Sequence, residues 1–133
     1  MPQWTPDLAV GVPEIDKQHQ DIFKAIDDLM EACNQGKGRQ AVGEVIKFLE
    51  QYVVDHFGAE EKYMSSLGYP KYKEHKKLHD QFIQDFTGLK DKFQQQGPGI
   101  NLVVQTNKVV VAWLQEHIRR KDKELGAFLQ GKI

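Results

Sequence analysis

Four stretches of this 133-residue chain set apolar side chains at steps of three and four, the period of a helix with one buried face. The first runs Ile15, His19, Ile22, Ile26, Leu29, Cys33, and the second Val42, Val45, Leu49, Tyr52, His56, Ala59, Tyr63. The third is Tyr72, His75, His79, Phe82, Phe86, Leu89, Phe93, and the fourth Val103, Thr106, Val110, Trp113, His117. All five histidines of the chain lie in these stripes. Each imidazole carries two polar nitrogens that need partners in an apolar interior. One such residue is ordinarily a satisfied core histidine. Five together point to a shared metal centre.

Turn-forming clusters separate the stretches at residues 34–38 (NQGKG), 68–70 (GYP) and 95–99 (QQGPG). No segment alternates with period two, and no βα alternation is present. The pattern predicts an all-α chain, an up-down-up-down antiparallel four-helix bundle with an irregular N-terminal arm. The predicted elements are an arm over 1–15 and helices over about 16–33, 39–67, 70–94 and 100–125, forming one domain over 1–133.

In that topology the histidines converge. His19 falls early in the first helix and His56 late in the second, with His75 and His79 early in the third and His117 late in the fourth. These places share one end of the bundle. Glu60 follows His56 by four residues and projects from the same face. Asp122 follows His117 by five, about 140° round an α-helix, so it reaches the same face only if the backbone takes a π-type turn. Asp55, Glu61 and Asp80 fall off the stripes and read as solvent-facing charges.

Five imidazoles and two carboxylates exceed a tetrahedral zinc site. Calcium and magnesium prefer oxygen donors. Two six-coordinate first-row ions sharing both carboxylates and one solvent oxygen are one ligand short, which leaves room for one small exogenous ligand. Iron suits this geometry and donor set best, although histidine also suits zinc, copper and nickel, and manganese is left open.

Composition narrows the classes further. Hydrophobic residues are 40% and charged residues 28%, a globular balance that excludes disorder. The formal net charge of −1 offers no basic excess for nucleic acid. The longest apolar run, 109–114, is far too short for a membrane span. No signal peptide is visible, so the expected location is the cytoplasm. Phosphate loops, dinucleotide fingerprints and nucleophile–base triads are missing from the sequence. Trp4 is expected to pack the arm on the bundle and Cys33 to be an inert thiol. Arg119, Arg120, Lys121 and Lys123 read as a solvated basic face, with docking of an acidic partner as the lesser reading.

The ordered set His19, then His56-Phe-Gly-Ala-Glu60, then His75-Lys-Lys-Leu-His79, then His117-Ile-Arg-Arg-Lys-Asp122 resembles the hemerythrin family, its single-domain bacterial members in particular. The segment from Trp4 through Val10-Gly11-Val12 to His19 is similar to that family's N-terminal arm. The resemblance implies a non-haem di-iron centre with an oxo or hydroxo bridge that binds dioxygen reversibly. It implies that His75, His79 and His117 hold one iron, that His19 and His56 hold the other, and that Glu60 and Asp122 bridge them. Dioxygen would be taken up at the two-histidine iron.

Residues one turn from a ligand are expected to line the open position: Leu114, Trp113, Ile118, Ile22 and Phe23. The expected function is oxygen storage, delivery or sensing rather than enzymatic turnover, by a monomer that hands oxygen to an oxygen-consuming protein. The competing classes are a di-iron oxidase, peroxidase or nitric oxide-handling enzyme, and an iron-sequestering bundle.

Overall fold

The structure, a computed structural model, describes residues 4–132. Residues 1–3 of the expected arm, and residue 133, lie outside the described residues. Helix α1 spans Pro13–Asn34, α2 spans Arg39–Leu67 and α3 spans Tyr72–Gln96. Helix α4 (100–129) is continuous and right-handed but widens twice, with π-helical turns over Asn107–Val111 and Ile118–Asp122 set between α-helical segments. Among the described residues there is no strand.

Short connections force each helix to run antiparallel to the one before it. α1 packs on α2, α2 on α3, α3 on α4, and α4 closes the ring against α1. The core between them is built from large apolar side chains such as Ile22, Ile26, Leu29, Leu49, Phe57, Phe82 and Ile118, all nearly fully buried. This is the four-helix bundle that the stripes predict.

Boundaries differ from expectation where local chemistry decides them. Pro13 occupies the first turn of α1, where its missing N–H costs no hydrogen bond, so that helix begins earlier than residue 16 and the arm is shorter. Tyr69 folds into the α2–α3 turn, donating its N–H to the Met64 carbonyl, so α3 starts at Tyr72 rather than 70. Gly68 supplies the left-handed residue that ends α2 there. The fourth helix runs on to Leu129 because Leu125 and Leu129 still bury against the core.

The buried stripe of α2 is also shifted by one position over much of its length. Ile46, Val53, Phe57 and Met64 face the core, whereas Val45, Tyr52, Ala59 and Tyr63 are half-buried. Helix α2 has apolar residues on adjacent positions, so its sequence alone leaves the rotation of the helix undetermined.

The arm is fastened to both ends of the chain. Pro6–Leu8 forms one 3-10 turn, and Leu8, Val10 and Val12 are buried. Val10 N–H donates to Asp16 Oδ1 at 2.8 Å, and Gln130 Nε2 donates to the Gly11 carbonyl at 3.0 Å. Trp4 packs against the core, as expected of it. Where the arm crosses α4, Gly126 lies so close to the Val10 carbonyl that any Cβ would overlap it.

Candidate metal centre

Seven side chains meet at one end of the bundle: His19 from α1, His56 and Glu60 from α2, His75 and His79 from α3, and His117 and Asp122 from α4. None is more than 4% exposed. They fall into two overlapping groups. Glu60, His75, His79, His117 and Asp122 bring one donor atom each within 4.8 Å of one another, as do His19, His56, Glu60 and Asp122.

The contacts show how the two carboxylates are shared. Glu60 turns Oε1 to His75 Nε2 and His79 Nε2, both at 3.1 Å, and Oε2 to His56 Nε2 at 2.9 Å and His19 Nε2 at 3.5 Å. Asp122 turns Oδ1 to His75 Nε2 at 3.1 Å and His117 Nε2 at 3.2 Å, and Oδ2 to His19 Nε2 at 3.1 Å. Each carboxylate therefore gives one oxygen to a three-histidine group and the other to a two-histidine group.

Asp122 reaches the cluster because Ile118–Asp122 is a π-helical turn, in which residues five apart align. This meets the expectation set by the five-residue spacing. The second π-helical turn, over Asn107–Val111, has no counterpart in the sequence reading.

The imidazoles and carboxylates shift one another's proton affinities. Burial pulls His19 and His75 down, yet hydrogen bonds and charge from Asp122 and Glu60 outweigh it and push both up to about 9. His79 is raised by the same kind of balance, with Glu60 and Glu61 as its partners. In His117 burial wins and the imidazole is held below its usual value. Burial pushes Glu60 up, but the His56 charge and hydrogen bonds from His19, His56 and His75 hold it well below the usual carboxylate range. Asp122 is lowered too, since His117 and His19 outweigh both its burial and the nearby Glu60 charge.

Those contacts do not satisfy the donors. His19 Nδ1 is buried without a partner, and His19 Nε2, His56 Nε2, His79 Nε2, Glu60 Oε2 and Asp122 Oδ1 are buried beside their neighbours without well-aligned hydrogen-bond geometry. Two imidazole nitrogens, His75 Nε2 and His117 Nε2, face each other at 3.1 Å. Orphaned buried donors and acceptors are costly and demand an explanation. Adjacent ligands of an octahedral ion, held at about 2.1 Å from it, sit about 3.0 Å apart, close to the spacing found here. The residues fit a metal pair.

Some contributors were not legible beforehand. Glu61, expected to face solvent, instead accepts a hydrogen bond from His79 Nδ1 at 3.0 Å. Its carboxylate reaches across to α3 because α2 is rotated relative to the sequence-derived stripe. Gln18 Oε1 lies 2.7 Å from His56 Nδ1. Phe57 stacks on His79 with centroids 3.8 Å apart and planes 3° from parallel, and Trp113 stacks on His117 at 4.4 Å and 13°. Asp55 and Asp80 are exposed, as read.

Leu114, Ile118, Ile22 and Phe23 are buried in the core that continues from the cluster, and Trp113 is half-buried. Of the basic residues on α4, Arg119, Arg120 and Lys121 pair with Asp7, Glu116 and Glu74. Those pairs offset three of the four basic charges on this face. Cys33 is half-buried, and burial raises its thiol above the usual value, in keeping with an inert side chain.

A four-helix bundle that gathers five imidazoles and two shared carboxylates at one end defines a class of metal-binding helical proteins. Residues 10–129 match the family described as the hemerythrin HHE cation binding domain, and the chain belongs to the hemerythrin family. It is 36% identical over 119 residues to the bacteriohemerythrin of Pseudomonas aeruginosa (strain LESB58), covering 90% of this chain and 75% of that protein. It is 32% identical over 127 residues to the bacteriohemerythrin of Methylococcus capsulatus (strain Bath), covering 95% of each. A wild-type hemerythrin crystal structure superposes with a TM-score of 0.85 at 31% identity, covering 97% of this chain and 98% of that one.

Proposed function

We propose that this protein binds dioxygen reversibly at a pair of iron ions, for storage, delivery or sensing. The observation that carries this is the sharing of Glu60 and Asp122 between a three-histidine and a two-histidine group. His75, His79 and His117 would hold one iron and His19 and His56 the other, with Glu60 and Asp122 across both. The iron pair supplies the two electrons that dioxygen takes on binding and returns on release. With one histidine fewer than the first, the two-histidine position would be the one left open to a small molecule.

The protein's own part is positioning and exclusion. Gln18 and Glu61 hold the outer nitrogens of His56 and His79, which turns Nε2 of each ring inward. Leu114 and Ile118, flanking His117 on α4, and Ile22 and Phe23, one turn on from His19 on α1, are buried apolar side chains that would keep water and protons away from the bound ligand. Ferritin-like oxidative sites use more carboxylates and fewer histidines. The smaller anionic count here stabilises high-valent iron less, which favours returning oxygen intact over turnover.

No helix among the described residues is long and apolar enough to cross a membrane. The reading places the protein in the cytoplasm as a monomer, handing oxygen to an oxygen-consuming protein. Anaerobic loading with Fe(II), then air, then argon tests the function. Absorbance that appears in air and disappears under argon over repeated cycles is the expected result. Irreversible oxidation, or steady oxygen consumption with a reductant, would assign the chain to the enzyme class instead, and no spectral change to iron storage.

A further inference from the structure

Two of the cluster's imidazoles are held from behind by different chemistry. His79 Nδ1 meets a carboxylate, Glu61 Oε2 at 3.0 Å, while His56 Nδ1 meets a neutral amide oxygen, Gln18 Oε1 at 2.7 Å. In both cases the support comes from the preceding helix: α1 holds a ring of α2, and α2 holds a ring of α3. His79 is clamped further by the parallel Phe57 ring on its face. The His79 side chain is fully buried and that of Glu61 is 21% exposed, so the pair forms where little water competes.

A hydrogen bond from Nδ1–H to an anion raises the electron density that the imidazole passes to a metal through Nε2, more than a bond to an amide does. The three-histidine group contains His79 and the two-histidine group contains His56. We infer that Glu61 and Gln18 are positioning residues that make the two metal positions electronically unequal, with Glu61 stabilising the ferric state at the three-histidine iron. The neutral amide leaves the two-histidine iron the less electron-rich partner. This inference rests on the di-iron reading of the site.

The test compares the iron-loaded parent with Glu61→Gln, Glu61→Ala and Gln18→Glu. Iron per chain is measured first, then reduction of Fe(III) to Fe(II) by spectroelectrochemistry with a soluble mediator. Glu61→Gln keeps a hydrogen-bonding oxygen but removes the charge, so the pair should load fully and reduce at a higher potential than the parent. Gln18→Glu adds a charge behind His56 and should move the potential the other way. Glu61→Ala leaves His79 Nδ1 without its partner, and iron affinity, read by competition with a chelator, should fall about 10–100-fold.

Circular dichroism of the metal-free variants separates these effects from misfolding, because a purely structural role would change stability and leave the potential of a fully loaded site where it was. Equal potentials in parent, Glu61→Gln and Gln18→Glu, all loaded with two irons, overturn the inference while leaving the di-iron reading intact. A parent that takes up no iron pair overturns both.

Discussion

His117 Nε2 lies 3.2 Å from Asp122 Oδ1, although the two residues are five apart on one helix. The π-helical turn over Ile118–Asp122 brings them to a common face, and both end buried in the seven-residue cluster. A regular α-helix would turn Asp122 away by more than a third of a revolution. The backbone irregularity and the donor set are therefore one feature.

Replacing His117 with alanine removes one donor from the three-histidine group and the stacking partner of Trp113. Iron uptake should fall to one ion per chain or none. The stabilisation from iron, about 3 kcal/mol with free metal a hundredfold above Kd, should disappear with it. Iron analysis and melting curves with and without iron check this. Two irons and an unchanged iron-dependent Tm would mean that His117 is not a ligand.

The metal-free protein should lose stability with rising pH. His19 and His75 are raised from 6.5 to about 9 in the folded state. Their contribution is fully present below about 6.5 and is lost as pH climbs through about 9. His117 is lowered by burial, so its penalty grows only below 6.5 and does not oppose the trend in that window. Metal binding displaces protons and tightens over the same range. The Tm of the metal-free protein should fall between pH 6.5 and 9 while the gap between loaded and metal-free forms widens. A metal-free Tm that is flat or rising there contradicts the assigned imidazole–carboxylate contacts.

Leu114→Ala tests the apolar surround. Leu114 is 2% exposed and three residues before His117, and truncating it costs about 2–5 kcal/mol while sparing every donor. Two irons should still load. The oxygenated form should decay to the oxidised form faster than in the parent, and added azide should accelerate the decay. Equal decay rates by absorbance would make Leu114 ordinary core.

Gly126→Ala probes the arm rather than the centre. Its new Cβ would overlap the Val10 carbonyl, so the arm or α4 must shift, at a cost of about 1–3 kcal/mol. Chemical denaturation should show that loss with iron content retained. A variant as stable as the parent would mean that the arm moves aside freely.

Much of this protein is readable from local periodicity. The stripes placed the core of α3 correctly from His75 to Phe93, and the positions of the five histidines along their helices already implied a common end, because short loops leave antiparallel packing as the outcome. Even the π turn at Ile118–Asp122 was implied by the His117–Asp122 spacing. What the sequence could not settle was the rotation of one helix against another. Glu61 lies beside Glu60 and off the α2 stripe, and only the approach of α3 gives it His79 as a partner. Gln18 finds His56, and Phe57 finds the His79 ring, by the same kind of contact between helices. The π turn at Asn107–Val111 and the close crossing at Gly126 were equally hidden. A helical period states which side of a helix is apolar. Which polar atoms meet across the gap depends on interhelical rotation and separation, and those are set by the packing of all four helices at once.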